Sequence, residues 1–222
     1  MEKVALINKI VSTAFFLCYF YQFAYIAVVF IKKHRTYEAK RLCRYAVLIS
    51  ARNEREVIGN LIDSIKAQKY PSELVTVFVV ADNCTDDTAE IAERAGAVVY
   101  RRFDNVLVGK GYALDFLCGK IRDDYPADAF DGFFVFDADN VLDENYIAEM
   151  NKVFSNGHEI ITSKRNSKNF GDNWISAGYA LWFLRESVFL NGARMLLGTS
   201  CAVSGTGFVF SRRIFDEHGG WN

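Results

Sequence analysis

Two aspartates, Asp137 and Asp139, close the run Phe-Phe-Val-Phe-Asp-Ala-Asp at 133–139. Two carboxylates one residue apart at the end of an apolar strand can hold one hard divalent cation, and such a cation can clamp a diphosphate. Aspartate is also common in turns and caps, so the pair alone fits a strand-to-helix turn as well. Other polar groups fall at comparable places. Ala81-Asp82-Asn83-Cys84-Thr85-Asp86 follows a valine-rich run. An acid there can accept hydrogen bonds from a nucleotide's base or ribose, or it can make an Asx-turn or cap. Gly109-Lys110-Gly111 precedes a helical pattern. Its lysine can approach a phosphate closely, or stand simply as a flexible exposed lysine. The P-loop spacing Gly-x-x-x-x-Gly-Lys-Ser/Thr is missing. Ser50-Ala51-Arg52-Asn53-Glu54 makes a polar elbow after an earlier apolar run.

The elements that must position these groups alternate in type. Tyr45 to Ser50 reads as a short apolar strand, and Glu56 to Lys66 as a helix with Val57, Ile58, Leu61, Ile62 and Ile65 on one stripe. Leu74 to Ala81 is a second strand. Asp86 and Asp87 open the next helix, where acids favour the positive end of the dipole. Ala97 to Tyr100 is a third strand, and Tyr112 to Ile121 a helix. The strand ending at Asp137 comes next, then a helix that turns Tyr146, Ile147, Met150, Val153 and Phe154 inward. This rhythm predicts an α/β fold with a mostly parallel sheet covered by helices on both faces. The acids then stand at the carboxyl ends of strands, where open sheets of this kind bind ligands.

Ahead of the sheet, Ile10 to Ile31 carries no charge and is bracketed by Lys9 and Lys32. As a helix it spans about 33 Å, enough for the hydrocarbon core of a bilayer. The pattern predicts an extracytoplasmic tail at 1–9, a transmembrane helix at 10–31 and a basic juxtamembrane segment at 32–44, with one domain over 45–222. Lys32, Lys33, His34, Arg35, Lys40, Arg41 and Arg44 come after the apolar run. Lysine and arginine accumulate on the cytoplasmic side, so the domain is expected in the cytoplasm at the cell membrane. A second apolar stretch, Trp174 to Leu197, is interrupted by Arg185, Glu186 and Arg194, so it is not expected to be a spanning helix. It reads as a core helix of the domain, or as a helix at the membrane surface or lining an acceptor channel. The formal net charge of -1 gives no electrostatic footprint for nucleic acid. The five cysteines are scattered without zinc-ligand or redox spacing, as in reduced thiols of a cytosolic domain.

Five stretches taken together, ISARNE, VVADNCTDDTAEIA, GKGYALD, VFDADN and GTGFVFSRRIF, resemble glycosyltransferase family 2 in order and spacing. The likeness is to its membrane-anchored, cellulose- and chitin-synthase-like branch and covers nearly all of residues 45–222. It implies the GT-A fold, a nucleotide-sugar donor (UDP-sugar first), a DxD motif with Mn2+ or Mg2+, inverting transfer, and a polysaccharide or glycolipid acceptor. Carried onto this sequence, it implies that Ala51, Arg52 and Glu54 line the nucleotide pocket, and that Asp82 meets the uracil or ribose. Lys110 would meet the nucleotide or phosphate, Asp137 would sit beside the diphosphate, and Asp139 would ligate the metal, Asp137 with it. Gly205, Thr206 and Gly207 would border the acceptor site.

The resemblance also has departures. Ala81 stands where the family often has a first acid. The family's Thr-Glu-Asp-like motif, which supplies the catalytic base, does not occur before Asn222, nor does its Gln-x-x-Arg-Trp-like motif. The base is therefore expected beyond Asn222, and the chain is expected to be a truncated piece that binds donor and metal with little or no transfer of its own. Asp143 and Glu144 read as the start of a helix rather than as a base. A polyprenyl-phosphate sugar transferase and a non-catalytic nucleotide-sugar-binding membrane subunit are the alternative functions. A dehydrogenase-type dinucleotide site is disfavoured, because no Gly-x-Gly-x-x-Gly comes after the first strand.

Overall fold

The computed structural model describes residues 2–32, 36–167 and 170–221. Lys33, His34 and Arg35 of the expected basic segment lie outside the described residues. In chain order the elements are α1 (Glu2–Tyr19), α2 (Tyr21–Ile31), β1 (Tyr45–Ala51), α3 (Ile58–Lys66), β2 (Val75–Asp82), α4 (Thr88–Arg94), β3 (Val98–Arg102) and α5 (Lys110–Asp124). Next come β4 (Gly132–Asp137), α6 (Tyr146–Phe154), β5 (Ile160–Thr162), α7 (Trp174–Leu184), a π-helical stretch (Arg185–Asn191), α8 (Gly192–Leu197), β6 (Phe208–Ser211) and α9 (Arg212–Glu217). Two compact units result. One joins Met1–Thr36 to Ser163–Ala202, and the other joins Tyr37–Thr162 to Val203–Asn222.

In the second unit the strands lie in the order β3-β2-β1-β4-β6-β5. β1 runs parallel to β2 and β4, and β2 runs parallel to β3. β6 is antiparallel to both β4 and β5. Alternation along each strand sends successive side chains to opposite faces. Tyr45, Val47 and Ile49 of β1 therefore join Phe134 and Phe136 of β4 beneath α3, α4 and α6. Ala46, Leu48, Phe133 and Val135 join α5 and α9 on the other face. Burial on both faces explains why β1, β2 and β4 read as continuous apolar runs rather than alternating ones.

Aromatic packing fixes the centre. The Phe133 ring stacks on Phe215 at 4.3 Å between centroids and on Phe210 at 5.5 Å. Each such fully buried ring contributes about 1.5–3 kcal/mol over an exposed one. Gly132 opens β4 because a β-carbon there would meet Phe154 Cζ at 2.7 Å and Tyr45 Cε1 at 3.1 Å. Tyr45, Tyr70 and Cys43 meet around the Asn151 amide: Tyr45 Oη donates to Asn151 Oδ1 at 2.9 Å, and Cys43 N donates to Tyr70 Oη at 2.7 Å. Burial pushes the Tyr70 hydroxyl up to about 12.

In the first unit, Glu2–Ile31 forms a helical run long and apolar enough to cross a membrane, interrupted at Phe20 and with none of it buried against protein. The helical segment 174–197 is not the core helix that its composition also allowed. Only Ala180, Gly192 and Ala193 of α7 and α8 are buried, and no residue of the π-helical stretch is. Apolar residues on every side suit a domain interior and a lipid interior alike, so composition alone does not separate the two.

Candidate functional site

The carboxyl ends of β1, β2 and β4 lie level. Ser50 pairs with Val80 on one side and with Asp137 on the other. The loops leaving these strands are laced to one another. Asn53 and Asn83 take left-handed backbone angles, φ +56° and +52°, which asparagine tolerates better than most residues. Asn53 Oδ1 accepts from Thr85 N at 2.8 Å, which ties the first elbow to the second. Asn83 Oδ1 accepts from Asp104 N, and its Nδ2 donates to Asp104 O, both at 2.9 Å, which ties the second to the third. Glu54 N donates to Thr88 Oγ1 at 2.8 Å, and Asp86 in turn accepts from Thr88 N at 3.1 Å. Of the two acids expected to open α4, Asp86 thus caps it from just outside, and Asp87 takes the N-cap position without a side-chain cap bond.

Lys110 is the first residue of α5, and Gly109 before it has φ +134°, open only to glycine. The Lys110 ammonium pairs with the Asp137 carboxylate and donates to Gly205 O at 2.6 Å. Asp137 N donates to Thr206 Oγ1 at 2.8 Å, and the same hydroxyl donates to Asn140 Oδ1. Gly207 N donates to Val135 O at 2.9 Å, so the 205–207 turn is bolted to the end of β4. The left-handed angle of Gly207, φ +70°, lets the chain fold back there into β6. Lys110, Asp137, Gly205, Thr206 and Gly207, named separately from sequence, therefore converge at one spot.

The remaining expected residues surround it. Ala51 is buried at the end of β1, Arg52 is exposed and Glu54 half-buried. Asp139 is exposed and accepts from Asn140 Nδ2 at 3.1 Å. Burial, and then the charges of Asp139, Asp137 and Asp86, push the Glu54 carboxyl above the usual range. The rim is thus acidic, with Lys110 as a cation inside it.

Asp82, expected to meet the uracil or ribose, is the last residue of β2. Its side chain is 5% exposed and pairs with Arg102, itself 7% exposed, at 2.6 Å. Register places the two side by side on β2 and β3. Arg102 also reaches Asp104 Oδ2 at 3.0 Å and Leu107 O at 2.7 Å. Asp104 accepts from Val106 N and Leu107 N, and these two bonds hold its carboxyl below the usual range. Sequence reasoning missed Arg102, Thr206 as a donor–acceptor bridge, and the two asparagine laces. The only available signal was an arginine ending the third strand, and its partner is visible only once the register is known.

Residues 43–222 match the sequence profile described as glycosyltransferase-like family 2. The chain belongs to this family. Among curated relatives, Beta-monoglucosyldiacylglycerol synthase of Synechocystis sp. is 24% identical over 182 residues, 79% of this chain and 36% of the relative. The 4,4'-diaponeurosporenoate glycosyltransferase of Staphylococcus aureus is 36% identical over 96 residues, 41% of this chain and 24% of the relative. The chain thus spans well under half the length of these family members. Among solved structures, the mannosyltransferase PcManGT from Pyrobaculum calidifontis, in complex with GDP-Man and Mn2+, superposes with a TM-score of 0.72 at 17% identity. That match covers 97% of this chain and 58% of the other. S. aureus TarS 1-349 in complex with UDP-GlcNAc gives a TM-score of 0.54 at 13% identity, covering 79% and 47%. These likenesses show the fold, the GT-A-like α/β architecture that the family resemblance implied.

Proposed function

We propose that this chain is the donor-binding part of a membrane-anchored, inverting glycosyltransferase that moves a sugar from a nucleoside diphosphate to a glycolipid-class acceptor. The observation that carries the reading is the meeting of Lys110, Asp137 and the 205–207 turn at the carboxyl rim of the sheet. A sugar leaving a diphosphate builds negative charge on the phosphate, and preorganised cations there stabilise it. Lys110 supplies one such charge at the start of a 15-residue helix, whose amide end also favours anions. The ion pair with Asp137 holds the ammonium at the rim, where the diphosphate of a donor would lie. Thr206 holds the backbone N–H of Asp137 and the side-chain amide of Asn140. The anomeric carbon becomes cationic in character as the bond to the diphosphate loosens, and the neighbouring carboxylates suit that charge.

The residues also fit a divalent cation. Asp137 and Asp139 offer hard oxygen donors, and their charges, which add to burial in pushing the Glu54 carboxyl up, are ones a cation would offset. Among the described residues no three side chains converge on one cation position. Two carboxylates can hold an ion whose coordination is completed by phosphate oxygens and water. When bound, Mn2+ or Mg2+ supplies Lewis-acid stabilisation of the leaving diphosphate. Two relatives support a lipid acceptor by name, one a glucosyldiacylglycerol synthase and the other a diaponeurosporenoate glycosyltransferase. The apolar run Glu2–Ile31 supports an anchor, and Lys32, Lys40, Arg41 and Arg44 support a cytoplasmic domain. UDP is the first candidate nucleotide.

Calorimetric titration of the full chain with UDP and with GDP, with and without Mn2+, tests this reading. Binding that requires Mn2+ and weakens at least tenfold in Asp139→Ala is the expected result, about 1.4 kcal/mol. Absence of manganese-dependent binding for both nucleotides would sink it.

A further inference from the structure

The segment Trp174–Leu197 leaves a large apolar surface outside any core. Trp174 is 84% exposed and Trp182 58%, and Ile175, Tyr179, Leu181, Met195 and Leu197 are also exposed. Contiguous apolar surface of this kind marks an interaction site. Two observations say what covers it. The first is continuity with the apolar N-terminal run in the same compact unit: the Phe30 and Phe189 rings lie 6.4 Å apart, and Lys32 Nζ donates to Leu196 O at 3.2 Å. The second is the treatment of charge. Arg185, which interrupts the segment, donates to Gln22 Oε1 at 2.6 Å and lies over the Trp182 ring at 5.3 Å. Glu186 pairs with Arg165, whose guanidinium in turn covers the Phe183 ring at 4.9 Å. Arg194 donates to Asn191 Oδ1 at 3.3 Å, and Ser187 Oγ donates back to Phe183 O at 2.7 Å. The charges and hydroxyl that interrupt this segment are thus bonded inside the unit, while Trp174, Ile175, Tyr179, Leu181, Trp182 and Met195 stay exposed. A water-facing helix does the reverse. Polar groups satisfied internally beneath an apolar exterior are what a hydrocarbon environment demands.

We infer that Trp174–Leu197 is embedded in the same bilayer as the N-terminal helix, with its exposed aromatic and aliphatic side chains against lipid acyl chains. Gln22, the polar residue in the middle of the anchor, is then explained as the neutral partner of Arg185. The inference rests on the anchor reading above, and extends the membrane-embedded part from one helix to two stretches of chain far apart in sequence.

The chain's own tryptophans test it, because the third, Trp221, packs near Phe208 and Phe210 in the other unit. The full chain is reconstituted in phosphatidylcholine vesicles with plain or acyl-brominated lipid. One variant, Trp174→Phe with Trp221→Phe, reports from Trp182. Another, Trp174→Phe with Trp182→Phe, reports from Trp221. A third carries Phe16→Trp with all three native tryptophans replaced by phenylalanine, and reports from the anchor. Bromine quenching is expected to lower Trp182 and anchor emission roughly twofold and to leave Trp221 unchanged, because bromine acts only within the hydrocarbon core. A quenched anchor probe beside an unquenched Trp182 overturns the inference alone. If neither is quenched, the anchor reading falls with it.

Discussion

Replacing Arg102 by methionine leaves Asp82 as an uncompensated charge inside the rim of the sheet. Both side chains are nearly sealed from solvent, at 7% and 5% exposure, so water cannot take over the lost contact. Removing one partner of a buried pair costs about 3–5 kcal/mol. The bonds to Asp104 and Leu107 O go as well, but they lie nearer the surface, and each adds about 1 kcal/mol at most. A total near 4 kcal/mol lowers the melting temperature of a chain this size by on the order of 10 °C. Chemical denaturation of the full chain in detergent, in the Trp174→Phe, Trp182→Phe background and followed by Trp221 fluorescence, reads the loss directly. The double variant Asp82→Asn with Arg102→Met carries no buried charge and is expected to recover most of it. A single variant within about 0.5 kcal/mol of wild type, or a double variant as unstable as the single, refutes the reasoning, for then the pair is not what holds the rim.

Thr206→Val removes a hydroxyl that accepts from Asp137 N and donates to Asn140, which costs about 1–3 kcal/mol in urea denaturation. Thr206→Ser keeps both bonds and is expected to retain most of the stability and the manganese-dependent UDP binding. Glu54→Gln is expected to change how stability varies with pH. The folded-state value of Glu54 is raised, by burial first and then by Asp139 and Asp137, so its contribution is fully present below the ordinary glutamate value near 4.3 and is lost as pH rises through the raised value. The variant is therefore expected to be the more stable form at neutral pH, with the gap closing as pH falls toward about 4. Denaturation midpoints across that range check it, and a gap independent of pH would count against the carboxylate cluster.

The parallel half of the sheet was legible because buried parallel strands announce themselves as short apolar runs, as Tyr45–Ala51, Val75–Asp82 and Gly132–Asp137 do. Lys110 was legible because glycines flank it, and the acids because they end strands. β5 and β6 were not read. They are three and four residues long, and their places depend on a pairing partner far away in sequence. Asp82 was legible as the acid that ends the second strand, but its pairing with Arg102 was not, since that neighbour comes from register, which no local pattern encodes. The same limit hid Thr206 as the bridge to Asp137. It also left Trp174–Leu197 divided between a core helix and a helix at the membrane surface or along an acceptor channel, because these environments select the same residues.

The position of β6 has a consequence for synthesis. It lies between β4 and β5, yet the chain makes it after both. Until Phe208–Ser211 leaves the ribosome, one edge of β4 has no partner, and β5 has no sheet to join. At about 5–20 residues per second, the stretch from Asp137 to Phe208 takes roughly 4–14 s to translate. For that interval the nascent protein presents an open strand edge lined with Phe133, Phe134 and Val135, a natural substrate for holdase chaperones and a hazard for misassembly between neighbouring polysomes.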